Sequence, residues 1–208
     1  MQDPHVEALR QTLQKYESGQ LRSDLFAGDS QLNSAAPQPS ENPDEQYTKA
    51  RAVVLRKLTG SAKSRHQLAQ ALQEREFSEP VIASVLDRME EVQLIDDAHF
   101  AHTWVRTRHE LKGLGAAALR RELRDKGVSS PHIEAALEQL SAADEDAAAR
   151  ELIESKLRGV TIPVGNGAED RKEREKITRR LVSMLGRRGH APGAAFQLVR
   201  EALERRAA

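Results

Sequence analysis

From Tyr47 onward, apolar residues fall three and four positions apart while charged and amide side chains fill the places between them, the spacing of one buried face on a helix. Ala, Leu, Arg, Glu and Gln dominate these stretches, and Gly and Pro stand mainly at the junctions. The pattern predicts an all-α chain. Aligned on itself, the chain repeats. Leu68, Leu72, Phe77, Ser78, Pro80, Ile82, Leu86 and Met89 recur 51 residues later as Leu119, Leu123, Val128, Ser129, Pro131, Ile133, Leu137 and Leu140. A third copy follows at an offset of 62, with Leu181, Leu185, Gly189 and Val199 standing for Leu119, Leu123, Gly127 and Leu137.

A further helix precedes each copy, marked by Val53, Val54 and Leu58, by Trp104, Val105 and Arg108, and by Leu152, Ile153 and Lys156. The expected architecture is three tandem three-helix repeats at 47–95, 96–143 and 144–208, with a loop insertion at 159–170, stacked into an elongated curved body. Residues 1–46 are expected to be an acidic, largely disordered extension. Ser30–Asn42 is rich in Ser, Pro, Gln and Asn without apolar period, and Val6, Leu9 and Leu13 offer at most a short helix.

Local chemistry marks the helix ends. Ser64-Arg-His-Gln67 has the form of a capping box, and Ser78-Glu-Pro80 and Ser129-Ser-Pro131 put a hydroxyl cap and a helix-starting proline before third helices. Gly127 and Gly189 fall where a left-handed helix end is wanted. Asp44-Glu45, Asp96-Asp97 and Asp144-Glu145 open the first helices, where negative charge complements the helix dipole.

Composition removes several functions. The 208 residues contain no Cys, which excludes disulfide scaffolds, thiol catalysis and Cys-ligated metal. At 3% aromatic content there are too few rings for a base-stacking platform. No stretch is long and apolar enough to span a membrane, and the first residues lack a secretory pattern, so a cytoplasmic location is expected. Lys plus Arg equal Asp plus Glu at 32 each, but the balance is uneven. His99–Lys126 holds seven cations against three acids, and Arg171–Arg188 eight against two. A solvated, internally paired helix face is the plain explanation for such stretches, and a partner surface the sharper one.

The order and spacing of Leu94-Ile-Asp-Asp97, Phe100-Ala101, Val105, Arg108, Gly113, Gly115, Leu119, Glu122-Leu123 and Lys126-Gly127-Val128 resemble the RecX regulators of the RecA recombinase. Leu185-Gly-Arg-Arg188-Gly189 with its following helix resembles that family's closing motif. Glu76 and Gln93 depart from it, standing where glycine is expected, and His190 takes an apolar position held elsewhere by Phe77 and Val128. A monomer without cofactor is expected, and the resemblance implies a non-enzymatic protein. It would bind the RecA filament in its helical groove and restrain filament growth, strand exchange and co-protease activity. Single-stranded or duplex DNA would be met through a basic groove.

The candidate contacts are Arg106, Arg108, Arg120, Arg121, Arg124, Lys126, Arg179, Arg180, Arg187 and Arg188. The alternative is a helical DNA-binding protein or transcription regulator acting through phosphate contacts. A helix-turn-helix reader at Leu68–Met89 is disfavoured because its last helix is acidic. His99 and His102 beside Asp96 and Asp97 lack a third strong metal ligand. Lys112-Gly-Leu-Gly115 lacks the form of a phosphate loop and reads as a hinge. Trp104 aligns with Val53 and Leu152 and is expected in the core.

Overall fold

The computed structural model of the chain describes residues 42–165 and 167–207. The expected disorder of Ser30–Asn42 and the short helix around Leu9 fall, apart from Asn42, outside the described residues. The helices are α1 (Pro43–Gly60), α2 (Arg65–Gln73), α3 (Glu79–Glu91), α4 (Asp97–Lys112), α5 (Ala116–Asp125), α6 (Ser130–Leu137), α7 (Ala142–Leu157), α8 (Ala168–Arg187) and α9 (Pro192–Ala207). Among the described residues there is no strand. Helix α1 starts at Pro43, four residues before Tyr47, with Asp44 and Glu45 in its first turn. The Asn42 carbonyl accepts from Glu45 and Gln46 N–H, and Pro43 lies in the first turn, where a missing N–H is not required.

The chain divides into two compact units. One holds the described residues up to Thr59 together with Ala69–Ile95, and the other Gly60–Leu68 and everything from Asp96. In the first, Ala50, Val54 and Leu58 are buried on α1, and Val81, Ile82, Val85, Leu86 and Met89 on α3. In the second unit, Phe100, Ala101, Val105, Leu119, Leu123, Val128, Ile133, Ala136 and Leu137 of α4–α6 form one apolar cluster. A second cluster joins Ile153 and Leu157 of α7, Leu181 and Leu185 of α8, and Leu198, Val199 and Leu203 of α9. Each fully buried aliphatic contributes roughly 1.5–3 kcal/mol.

The repeated positions match in burial. Leu68, Leu119 and Leu181 are each at most 1% exposed, and so are Leu72, Leu123 and Leu185. On the first helices Val54, Val105 and Ile153 agree in the same way, but Lys156 is exposed and Leu157 is the buried counterpart of Leu58. The sequence register slipped there by one residue. Ser78 and Ser129 do occupy the N-cap positions of α3 and α6, yet neither hydroxyl makes a cap hydrogen bond. Ser64 does. Its Oγ accepts from Gln67 N–H, and its own N–H donates to Gln67 Oε1, each at 3.2 Å.

Every second helix ends in the same way. Glu76, Gly127 and Gly189 have φ of 60°, 71° and 86°. Each lets the next N–H reach the carbonyl five residues earlier: Phe77 to Leu72, Val128 to Leu123 and His190 to Leu185. The sequence departures at Glu76 and Gln93 therefore keep the left-handed turn, Gln93 at φ 57°, at a steric cost that glycine avoids. Gly189 has a second constraint, because a Cβ there would lie 2.2 Å from Ala118 N. Glu76→Gly should raise stability by about 1 kcal/mol, the relief of left-handed strain less the extra freedom of the unfolded glycine. Gly189→Ala should lower it by about 3 kcal/mol or more, through both strain and backbone collision. Urea titration monitored by circular dichroism checks both, and a neutral Gly189→Ala would contradict the close approach.

Candidate partner-binding surface

The basic stretch of α4 and α5 is built around Trp104. The ring is half-buried, packed against the apolar cluster of its bundle and stacked on Phe100 with centroids 5.7 Å apart. It is therefore at the edge of the core and not inside it. Trp104 Nε1 donates to Glu122 Oε2 at 2.8 Å, and Arg108 grips both oxygens of the same carboxylate at 2.9 and 3.0 Å. The Arg108 guanidinium lies 4.7 Å from the centre of the Trp104 ring, and the Lys126 ammonium 4.1 Å from it. Glu122 thus holds the Arg108 guanidinium against the indole, and Lys126 adds a second cation beside the same ring.

The other candidate cations divide by what they touch. Arg120 forms a paired hydrogen bond with Glu134, both contacts at 2.7 Å, which holds the Glu134 carboxyl below the usual carboxylate range. Arg188 donates to the carbonyl of Lys112, and Arg187 to Ser183 Oγ at 2.7 Å. Arg106, Arg121, Arg124, Arg179 and Arg180 are exposed and, among the described residues, carry no side-chain hydrogen bond or ion pair. Lys176 pairs with Glu173 at 3.3 Å, so part of the α8 charge is matched along the helix.

These helices are positioned by a joint that occurs twice within the second unit. At its first occurrence Ser64 Oγ donates to the Lys126 carbonyl, Arg65 N–H donates to Asp97 Oδ1 at 2.8 Å, and His66 lies where a Cβ on Gly127 would stand. At its second, Gly115 N–H donates to the Arg188 carbonyl at 2.9 Å, Ala116 N–H donates to Glu145 Oε1 at 2.7 Å, and Ala118 fills the space beside Gly189. In both, the free N–H groups of one second helix are capped by an acid from the next first helix. Asp97 and Glu145 therefore do more than face their own helix dipoles, a role the sequence reading missed. Its one signal was the recurrence of an acid at the same place in successive units.

The joint also accounts for two residues that departed from expectation. Lys112-Gly-Leu-Gly115 is a clamped turn and not a hinge: Gly113 is left-handed, and a Cβ on Gly115 would lie 2.6 Å from Gly189 O. His190 is buried because its Nε2 bonds the Gly113 carbonyl at 2.9 Å, which satisfies a polar ring in an apolar position. His109 Nδ1 bonds the Leu114 carbonyl in the same turn at 2.9 Å. His99 is tied to Thr103.

Bundles of this kind, joined in series and presenting guanidinium groups on their second helices, define an all-α repeat protein. Comparison with known proteins gives the family. A model described as the first three-helix domain of RecX matches residues 50–89, and one described as its second three-helix domain matches residues 96–137. Regulatory protein RecX of Streptomyces coelicolor is 43% identical over 172 residues, covering 83% of this chain and 87% of that protein. The Thermobifida fusca protein of the same name is 44% identical over 168 residues, covering 81% and 86%. The crystal structure of RecX from Lactobacillus salivarius superposes with a TM-score of 0.63 at 18% identity, covering 76% of this chain and 97% of that one. The chain belongs to the RecX family of regulatory proteins. Its relatives are named as regulators and not as enzymes.

Two measurements test this geometry. Glu122→Ala removes the shared acceptor of Trp104 and Arg108 and should cost about 2 kcal/mol, with a changed emission from the single tryptophan. Burial pushes the Asp97 carboxyl above its ordinary range, against the lowering effect of the Arg65 N–H bond. The folded state then holds this proton more tightly than the unfolded chain, so the group's contribution to stability is lost as pH rises through the folded pKa. Asp97→Asn keeps an acceptor for Arg65 without the charge. Its stability should therefore gain on the parent as pH rises from about 3 to about 7, and a pH-independent difference would contradict the assignment.

Proposed function

We propose that this chain regulates the RecA recombinase by binding the RecA filament on DNA, mainly to restrain filament growth, strand exchange and co-protease activity. It does so as a binding protein, not as an enzyme. Membership of the RecX family supports the partner, and the exposed, unmatched arginines support the surface. Arg106, Arg121, Arg124, Arg179 and Arg180 are the primary contacts, with Arg187 beside them. Arg108, Arg120, Lys126 and Arg188 hold those contacts in place through Glu122, Glu134, Trp104 and the Lys112 carbonyl. Direct contact with single-stranded or duplex DNA through a groove lined by these groups belongs to the same proposal. So do a monomeric state, a cytoplasmic site of action and the division into repeats at 47–95, 96–143 and 144–208.

The single observation that carries the surface is that Arg121 and Arg124 are exposed on a helix whose apolar side, Ala118, Leu119 and Leu123, is buried. Their charge is directed to solvent and has no acid bound to it. Reversing both to glutamate should leave helicity and melting unchanged. It should weaken inhibition of RecA ATPase on single-stranded DNA by at least about two orders of magnitude, at roughly 1.5–3 kcal/mol per charge-assisted contact. A folded Arg121→Glu/Arg124→Glu protein that inhibits as the parent does would move the interface elsewhere. Tight, salt-steep binding to duplex DNA without RecA would favour direct DNA regulation instead.

A further inference from the structure

Beside the insertion, the second unit has a groove of about 880 Å³ that the arginine surface does not explain. Its lining is apolar at Val164, Val182, Phe196 and Leu203. Phe196 is 52% exposed and Val164 70%, both large apolar side chains turned to water. Single exposed apolar residues are ordinary, but two on the walls of one groove are not.

The insertion that carries Val164 is a fixed wall. Ile162 is buried in the α7–α9 cluster, and Arg174 donates from Nη1 to the carbonyls of Pro163 and Gly165 at 2.8 and 2.6 Å. Val164 is therefore held between a buried anchor and two guanidinium bonds. A wall already ordered adds no ordering cost when a ligand arrives.

The repeat gives a second argument. Thr178 and Arg179 stand at the register of Ala116 and Ala117, since α8 follows α5 at the offset of 62 residues. Ala116 and Ala117 donate their N–H groups to Glu145 and Gly189 of the neighbouring bundle. In α8 the same register lines the groove. Because α8 starts at Ala168, this register lies mid-helix and offers side chains to the groove, not free N–H groups to a neighbouring bundle.

Charge selects the occupant. Arg171 and Arg179 line the groove without a side-chain partner among the described residues, while Arg174 is engaged with the loop and Arg200 lies 3.6 Å from Glu204. We infer that this groove docks an acidic peptide segment of a partner protein, with an apolar side chain between Val164 and Phe196 and flanking carboxylates on Arg171 and Arg179. A nucleic acid fits less well. Glu175 and Glu204 oppose any anion, so the discrimination lies in the apolar lining at Val164, Val182, Phe196 and Leu203, which accepts a peptide side chain and offers a phosphate backbone no donor. This goes beyond the filament reading: Arg179 is common to both, whereas Val164, Arg171 and Phe196 belong to the groove alone.

The test uses the full chain and a fluorescein-labelled peptide of about a dozen residues, with two leucines four apart among Asp and Glu. Fluorescence anisotropy should show saturable binding that weakens about tenfold in Phe196→Ala, a residue outside the proposed filament contacts. Arg171→Glu, also outside those contacts, should weaken it by a similar factor. Replacing the peptide leucines with serine, or its acids with lysine, should abolish it. The proposal is overturned if Phe196→Ala, folded by circular dichroism, binds the peptide as the parent does, or if the serine peptide binds equally. It is also overturned if an oligonucleotide displaces the peptide with greater affinity, or if sedimentation shows a dimer that Phe196→Ala abolishes. The first two outcomes would leave only charge attraction, the third would give the groove to nucleic acid, and the fourth to a second copy.

Discussion

The N-terminus of a helix leaves N–H groups without partners inside the helix, and α2 and α5 solve this with the same device. Each lays its first turn against the left-handed residue that closes a later second helix, and each receives a carboxylate from a later first helix. Arg65 N–H meets Asp97, and Ala116 N–H meets Glu145. The approach is possible only because Gly127 and Gly189 lack a Cβ, which would fall 2.2 Å from His66 or from Ala118. One small residue per joint thus meets three demands: the turn, the close contact and the access of a cap. Removing a hydrogen bond here would leave a half-buried donor unsatisfied, which costs more than the bond itself contributes. The positions of the arginines on α5 and α8 follow from this joint, because both helices have their register fixed by it.

Periodicity made the helices, the repeat offsets and most of the core legible, since burial of one face leaves a trace at every third or fourth position. The cap at Ser64–Gln67 was legible because it acts within four residues, but the capping box of Ser141 with Asp144 went unread, and Ser78 and Ser129 take the cap position without the bond. What could not be read was whatever spans two helices. Glu122 and Glu134 each bind an arginine 14 residues away, and Arg188 reaches Lys112 across 76 residues. Charge counting saw ten equivalent cations, and only the fold divides them into those with acceptors and those without. The slip between Lys156 and Leu157 has a simpler cause. Alignment by residue class at a helix end tolerates a shift of one, whereas burial does not, because one residue turns the side chain by about 100°.

His190 shows how a departure from the pattern can be structurally consistent. At that place Phe77 and Val128 supply apolar volume, and an imidazole there would lose its solvation without gaining a partner. The Gly113 carbonyl provides the partner, in the turn already held against Gly189. The polar substitution and the clamped glycine turn therefore depend on each other. Glu76 is the opposite case, since it keeps the conformation of Gly127 and Gly189 and bears the steric cost alone.

The surface charge of this chain has two kinds of consequence that should be separated. A guanidinium with both sides occupied, as Arg108 and Arg120 are, contributes to local order and has little left to offer a partner. Its presence nevertheless occupies the oxygens of Glu122 and Glu134, so Arg121 and Arg124 carry no ion pair of their own, although Arg124 still adds to the field that lowers Glu134. In α8 the division runs along the helix: Arg174 is engaged at the insertion, Arg187 and Arg188 at the far end, and Arg179 and Arg180 between them remain unmatched. Unmatched cations thus occur in both second helices at the positions where internal acceptors run out, and a whole-chain charge of zero conceals this because it counts both kinds alike.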